Sequence, residues 1–140
     1  MLQRPMMRSL KVLIVDDNPF QLMSLHQMLN AYHIFDVLAA DNLESARGSL
    51  ARRGAIDVAI CDLYLEATDA LQLIHEMSAK PEAPALIFVG GAESHVLESA
   101  VSTARKDGLR VLGYLPKPVT VTGLGLLLDS YQQSRAVAGA

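Results

Sequence analysis

The sequence predicts an α/β fold in which five parallel strands form one doubly wound sheet with five helices. Short apolar runs alternate with longer segments whose apolar residues recur at spacings of three and four. The first pattern indicates strands that are buried on both faces, and the second indicates helices with one apolar face. Their alternation along the chain is typical of βαβ units, whose crossover helices cover both sides of a parallel sheet.

The strands are predicted from runs rich in β-branched and aliphatic residues. The first run, Lys11-Val12-Leu13-Ile14-Val15, is the clearest of them. Turn-forming residues end two of the later runs, with Gly90 and Gly91 after the fourth and Pro116 at the end of the fifth. The predicted strands are residues 11–15, 36–40, 57–61, 85–89 and 110–115.

The helices are placed by the residues that begin and end them. Pro19 suits the first turn of the first helix, because its missing N–H is not needed there. Gly54 stops the second helix, and the prolines at 81 and 84 force a loop after the third. Gly123 and Gly125 weaken the first turns of the last helix by about 1 kcal/mol each relative to alanine. Four helices are predicted over residues 19–29, 42–53, 69–79 and 94–106, and the fifth follows a cap at Thr120 or Thr122.

Length and composition indicate one domain, which we place at residues 10–133, between an N-terminal extension (1–9) and a C-terminal tail (134–140). The net charge of −3 gives no reason to expect direct binding to nucleic acid. No apolar stretch approaches the roughly 20 residues that a membrane span needs, so we expect no membrane association. The single cysteine, Cys61, lies in an apolar run and is expected to pack in the core. We expect a cytoplasmic protein.

Four charged side chains follow predicted strands at the point where each strand ends. Asp16 and Asp17 follow the first strand, Asp62 follows the third, and Lys117 follows the fifth. Open α/β sheets bind their ligands at the carboxyl ends of the strands, so we expect these side chains to share one crevice. Three carboxylates repel one another unless a cation neutralises them, and Mg²⁺ accepts a few oxygen ligands of this kind. The pattern indicates phosphoryl chemistry on an aspartate.

The loops exclude three other α/β site types. A dinucleotide site needs glycines after the first strand, where this chain has Asp16-Asp17-Asn18-Pro19. A P-loop needs a Gly-Lys-Ser/Thr run, which the sequence lacks. Phosphatases of the haloacid dehalogenase type carry a second aspartate two residues after the nucleophile, and Tyr64 stands there. Taken singly, Asp16 and Asp17 or Asn18 could be helix caps and Lys117 a solvated loop residue; all four at corresponding strand ends favour a functional site.

Residues 10–133 resemble the receiver domain of bacterial response regulators. The resemblance rests on the Asp16-Asp17 pair, on the segment 62–69 (Asp-Leu-Tyr-Leu-Glu-Ala-Thr-Asp) and on the segment 114–118 (Tyr-Leu-Pro-Lys-Pro). It implies a flavodoxin-like, receiver-type fold with Asp62 as the phosphoacceptor. Asp16, Asp17, Asp62 and the carbonyl of Tyr64 would bind Mg²⁺, and Lys117 would pair with the phosphoryl oxygens.

The same resemblance implies partners. A sensor histidine kinase or a phosphotransfer protein would donate the phosphoryl group in a phosphorelay. The segment 107–118 resembles receivers attached to EAL cyclic-di-GMP phosphodiesterase domains, so we expect an EAL-type or other output domain as the partner that responds. A homodimer through the last helix is a further expectation. Self-phosphorylation and self-dephosphorylation would be the only chemistry of the chain, which makes it a signalling switch rather than an enzyme.

The chain departs from the family pattern at the end of the fourth strand. Receivers carry a serine or threonine there, whereas this sequence has Val89 or Gly90, neither of which has a hydroxyl. We favour Gly90, because the next residue in the family is small and Gly91 fits that pattern. In the family, that hydroxyl moves together with an aromatic residue on the fifth strand, which corresponds to Tyr114. Two functions therefore stay open: a receiver that is phosphorylated on Asp62, and a pseudo-receiver that binds or dimerises without phosphate.

Overall fold

The computed structural model describes residues 10–52, 55–63, 67–90 and 94–139. Within these ranges five strands form one parallel sheet with the order β2-β1-β3-β4-β5. The strands are β1 (Lys11–Val15), β2 (Asp36–Ala40), β3 (Val58–Asp62), β4 (Ala85–Gly90) and β5 (Val111–Pro116). The helices are α1 (Pro19–Ala31), α2 (Leu43–Arg52), α3 (Ala67–Ser78), α4 (Ser94–Lys106) and α5 (Val121–Gly139).

The strand order reverses direction beside β1, which places helices on both faces of the sheet. Helices α1 and α5 cover one face, where Leu25 and Leu128 pack in the same cluster as Ile14. Helices α2, α3 and α4 cover the other face, where Ile74 and Phe88 belong to a second cluster. The doubly wound arrangement predicted from the sequence is confirmed.

The two central strands β3 and β4 are almost entirely apolar because both of their faces are covered. In β3 and β4 every residue is buried, from Val58 to Asp62 and from Ala85 to Gly90. Cys61 is among them, and burial raises the pKa of its thiol to about 12, so it packs as an inert core residue. None of the described helices combines the length and the apolar character that a membrane span requires.

Several boundaries differ from the predicted ones. Helix α3 begins at Ala67, two residues before the predicted start, and β4 extends to Gly90. Helix α5 continues to Gly139, so the boundary predicted at residue 133 falls inside a helix. Alanine and arginine in the segment 134–138 are strong helix formers, which explains the continuation. The predicted extension, residues 1–9, lies outside the described residues.

Close packing between α1 and α5 depends on a glycine. The hydroxyl of Tyr32 at the end of α1 donates a hydrogen bond to the carbonyl of Val121 at 2.7 Å. A Cβ atom on Gly125 would lie 2.1 Å from that hydroxyl oxygen and 2.6 Å from the ring carbon that bears it. Gly125 is therefore required by the contact with Tyr32, although it lowers the intrinsic helix propensity of α5.

Gly125→Ala is expected to lower the free energy of unfolding by about 1 kcal/mol or more. Helix propensity alone predicts the opposite, a gain of about 1 kcal/mol, so the sign of the change is diagnostic. The loss arises because Tyr32 must move and give up its hydrogen bond to Val121. Urea unfolding followed by circular dichroism measures the difference.

The matched control is the same substitution in a Tyr32→Ala background. There the steric conflict is absent, and Gly125→Ala should become neutral or stabilising. Equal destabilisation in both backgrounds would contradict the assignment of the cost to Tyr32.

Candidate metal centre

The alternation of side chains along the strands brings three charged residues to one side of the sheet. Ile14, Ile60 and Leu115 all belong to the cluster beneath α1 and α5. Side chains two residues apart on a strand point to the same face. The residues two positions after these three are Asp16, Asp62 and Lys117.

Carboxylates and one ammonium group meet at the carboxyl edge of β1, β3 and β5. Oxygen atoms of Asp16, Asp17 and Asp62 all lie within 4.8 Å of one another. Asp16 and Asp62 are each only 1% exposed, whereas Asp17 is exposed at the mouth of the site. Lys117 Nζ is 3.3 Å from Asp62 Oδ2 and 4.0 Å from Asp16 Oδ2. The four side chains therefore form one site.

The local sequence after β1 holds Asp16 in place. Asp16 Oδ1 accepts a hydrogen bond from the backbone N–H of Asn18 at 2.9 Å. Asn18 in turn caps α1, because its side-chain oxygen accepts from the N–H groups of Phe20 and Gln21 at 2.9 and 3.1 Å. The helix cap is thus Asn18, and both aspartates before it are left available to the site.

Burial makes the charged form of Asp16 costly. It raises the pKa of the Asp16 carboxyl from 3.8 to about 6, and the neighbouring Asp62 carboxylate adds to the rise. The N–H of Asn18 and the ammonium of Lys117 oppose it without cancelling it. When all groups are ionised, three carboxylates face one ammonium, which leaves two negative charges in excess.

The donor set fits Mg²⁺. Asp16 Oδ2 is buried and has no hydrogen-bond donor among the described residues, so a buried acceptor is left over at the centre of the site. Together with the carboxylates of Asp17 and Asp62 it offers the hard oxygen ligands that Mg²⁺ takes, and the exposed side leaves room for water ligands. Tyr64, whose carbonyl was predicted as a further ligand, lies outside the described residues.

Beside the acidic cluster, the end of β4 is joined to β5 through one main-chain oxygen. Gly90 O accepts a hydrogen bond from the backbone N–H of Lys117 at 3.0 Å and another from the hydroxyl of Tyr114 at 2.8 Å. A Cβ atom on Gly90 would lie 3.4 Å from Leu63 Cβ, which is an ordinary contact, so the position has space for a small side chain. Sequence reasoning missed the shared oxygen, because a main-chain acceptor has no residue-type signal.

A separate cavity of about 390 Å³ lies at the opposite edge of the sheet. Its lining includes Asp57, Arg110 and Tyr131, near the amino ends of β3 and β5. None of the residues predicted for the functional site lines this cavity. The cavity is therefore separate from the acidic cluster at the carboxyl edge of the sheet.

Two curated proteins are similar to this chain over most of its length. One is the cyclic di-GMP phosphodiesterase RocR of Pseudomonas aeruginosa, with 28% identity over 129 residues that cover 92% of the chain. The other is the two-component response regulator ARR2 of Arabidopsis thaliana, with 27% identity over 121 residues and 86% coverage. The chain spans only 33% of the first relative and 17% of the second.

Solved structures of receivers share the fold. A response regulator receiver protein from Pseudomonas putida has 31% identity and a TM-score of 0.71, with 86% of this chain and 96% of that one covered. A receiver domain protein from Clostridium thermocellum has 25% identity and a TM-score of 0.74, with 92% and 98% covered. The signal receiver domain of an HD-domain protein from Pseudomonas fluorescens, at 23% identity and a TM-score of 0.75, agrees in fold, with 91% and 99% covered.

A family model matches the chain from residue 12 to residue 128, which is nearly the whole sheet with its helices. The model describes the response regulator receiver domain. The match to a cyclic di-GMP phosphodiesterase also agrees with the predicted likeness to receivers that accompany such enzymes. The chain belongs to the response regulator receiver domain family.

Proposed function

We propose that this receiver accepts a phosphoryl group on Asp62, in a Mg²⁺-dependent reaction, from a phosphohistidine of a cytoplasmic sensor histidine kinase or phosphotransfer protein. The observation that carries the proposal is the placement of Lys117 Nζ 3.3 Å from a buried Asp62 carboxylate, beside the cluster that Asp16 and Asp17 complete. A buried acidic cluster is costly for the fold, and phosphoryl transfer is a reaction that needs it.

The transfer exchanges one bond to phosphorus for another. An oxygen of Asp62 forms the new P–O bond while the P–N bond of the phosphohistidine breaks, and the electron pair of that bond stays on the donor nitrogen. Lys117 supplies a positive charge beside the transferred group, and Asp16 and Asp17 would hold Mg²⁺. Bound Mg²⁺ supplies neutralisation of the phosphoryl oxygens. Attack by water on the aspartyl phosphate returns Asp62 and inorganic phosphate.

Signalling would follow from a changed partner surface rather than from turnover of a substrate. The curated relatives are several times longer than this chain, and one of them is a cyclic di-GMP phosphodiesterase. We propose that the receiver controls an output domain, of the EAL type or another, either linked to it or in a separate protein. A homodimer through α5 remains a prediction.

One observation favours a second candidate, a pseudo-receiver that binds or dimerises without phosphate. Gly90 offers no side-chain hydroxyl, and the Tyr114 hydroxyl donates its hydrogen bond to the Gly90 main-chain carbonyl instead. Such a module would keep the receiver fold, and its partner-binding surface would not change with phosphorylation of Asp62. The first candidate is favoured because the acid cluster and Lys117 are intact.

The phosphoacceptor is tested with acetyl phosphate and Mg²⁺ by intact-mass spectrometry. The wild-type chain should gain the mass of one phosphoryl group, Asp62→Asn should gain none, and chelation of Mg²⁺ should slow the gain at least tenfold. The matched control is Asp41→Asn, which removes an exposed aspartate that also follows a strand end and should react like the wild type. No adduct on the wild-type chain would support the pseudo-receiver.

The cost of the buried charge is tested by Asp16→Asn without divalent cations. The pKa of Asp16 is raised by folding, so its favourable contribution is complete below about pH 4 and is lost as the pH rises through about 6. At pH 7.5 the variant should therefore be more stable than the wild type by about 1 to 3 kcal/mol. The difference in stability between the variant and the wild type should be smaller at pH 5. It should also be smaller at pH 7.5 in millimolar Mg²⁺, because the cation stabilises the wild type.

Thermal or urea unfolding at the two pH values measures this difference, with Asp41→Asn again as the control for loss of one negative charge. That exposed site should show little change in stability at either pH. A wild-type chain that is more stable than Asp16→Asn at pH 7.5 in chelator would contradict the charge account.

A further inference from the structure

Two hydrogen bonds hold Asp16 in place at the carboxyl end of β1. Its backbone N–H donates to the carbonyl of Ala40 in β2 at 3.0 Å, and its Oδ1 accepts from the backbone N–H of Asn18 at 2.9 Å. The other carboxylate oxygen, Oδ2, is buried and accepts no hydrogen bond from the described residues. It lies 4.0 Å from Lys117 Nζ, within the acidic cluster. The bond from Asn18 therefore decides which oxygen of Asp16 is left for a cation.

The direction of the Asn18 N–H depends on the side chain of the same residue. Asn18 caps α1 with extended backbone angles, φ −97° and ψ 115°, a conformation that Pro19 after it also favours. Its side-chain oxygen accepts from the N–H groups of Phe20 and Gln21 at 2.9 and 3.1 Å. These bonds tie the backbone of Asn18 to the first turn of α1, so the N–H that holds Asp16 is oriented before any cation arrives.

We propose that Asn18 is a positioning residue for Asp16, and that its helix cap sets the affinity of the acidic cluster for Mg²⁺. This inference rests on the proposed function, because it takes Mg²⁺ as the occupant of the cluster. The side-chain oxygen of Asn18 is committed to α1, so Asn18 acts on the cation through Asp16 rather than as a ligand. A carboxylate that already has its binding geometry need not be ordered when the cation binds, which strengthens binding.

Two substitutions at Asn18 separate the cap from the rest of the site. Asn18→Ala removes the side-chain oxygen that caps α1 but keeps the backbone N–H, every carboxylate and the net charge. Asn18→Ser puts back a side-chain oxygen that can accept from the same turn of the helix. Asn18 is an exposed residue, so both variants are expected to fold.

The experiment titrates the full chain with MgCl₂, without a phosphodonor, and follows amide chemical shifts by NMR at a temperature where every variant is folded. Asn18→Ala should bind Mg²⁺ about two- to tenfold more weakly than the wild type, because only a fraction of its molecules then hold the binding geometry. Asn18→Ser should bind within about twofold of the wild type. Without Mg²⁺, the backbone amide of residue 18 should exchange with solvent faster in the alanine variant, because its bond to Asp16 forms less often.

The matched control is Asn42→Ala, because Asn42 is a second asparagine cap, whose side-chain oxygen accepts from the N–H of Ser45 at 2.7 Å. This variant should lose a similar amount of stability in urea unfolding and bind Mg²⁺ like the wild type. Wild-type affinity in Asn18→Ala, a serine variant as weak as the alanine variant, or an equal loss in Asn42→Ala would overturn the positioning role and leave phosphorylation of Asp62 in place. Failure of the wild-type chain to bind Mg²⁺ at all would overturn both.

Discussion

Two buried carboxylates beside one ammonium group are the constraint on which the rest of the site depends. Asp16 and Asp62 are almost fully removed from water. With Asp17 they carry three negative charges when ionised, and the single positive charge of Lys117 offsets only one of them. Ionised, the cluster carries a net charge of −2, which one divalent cation balances. The raised pKa of Asp16 has the same origin, because burial disfavours the ionised carboxylate relative to the protonated carboxyl. A divalent cation held by the three carboxylates would offset this cost.

The sheet explains how much of this was predictable from sequence. Buried parallel strands are continuous apolar runs, so their ends are visible where Asp16, Asp62 and Lys117 appear. Parallel pairing then brings those ends to one edge without further information. Only the choice of helix cap, which falls to Asn18, needed the structure to separate it from the acidic pair.

Other features depend on contacts between distant segments, which periodicity does not encode. From the sequence, Gly125 is only a residue of low helix propensity. The structure shows that a Cβ atom at this position would lie 2.1 Å from the hydroxyl oxygen of Tyr32. The sequence did not indicate that α5 continues past residue 133, because the tail has no apolar period, although its alanines and arginine favour a helix. From the sequence, Gly90 could be described only as a position that lacks the hydroxyl of the family. The structure shows that its main-chain carbonyl accepts hydrogen bonds from both Tyr114 and Lys117.

The central claim is that Asp62 itself takes the phosphoryl group, and mapping the modified residue tests it most directly. The chain is incubated with Mg²⁺ and a phosphodonor, then reduced with borohydride, which converts an aspartyl phosphate to homoserine before peptide mapping by mass spectrometry. The account predicts homoserine at position 62 and unchanged aspartate at positions 16, 17 and 57. Homoserine at another aspartate, or at none, would contradict it.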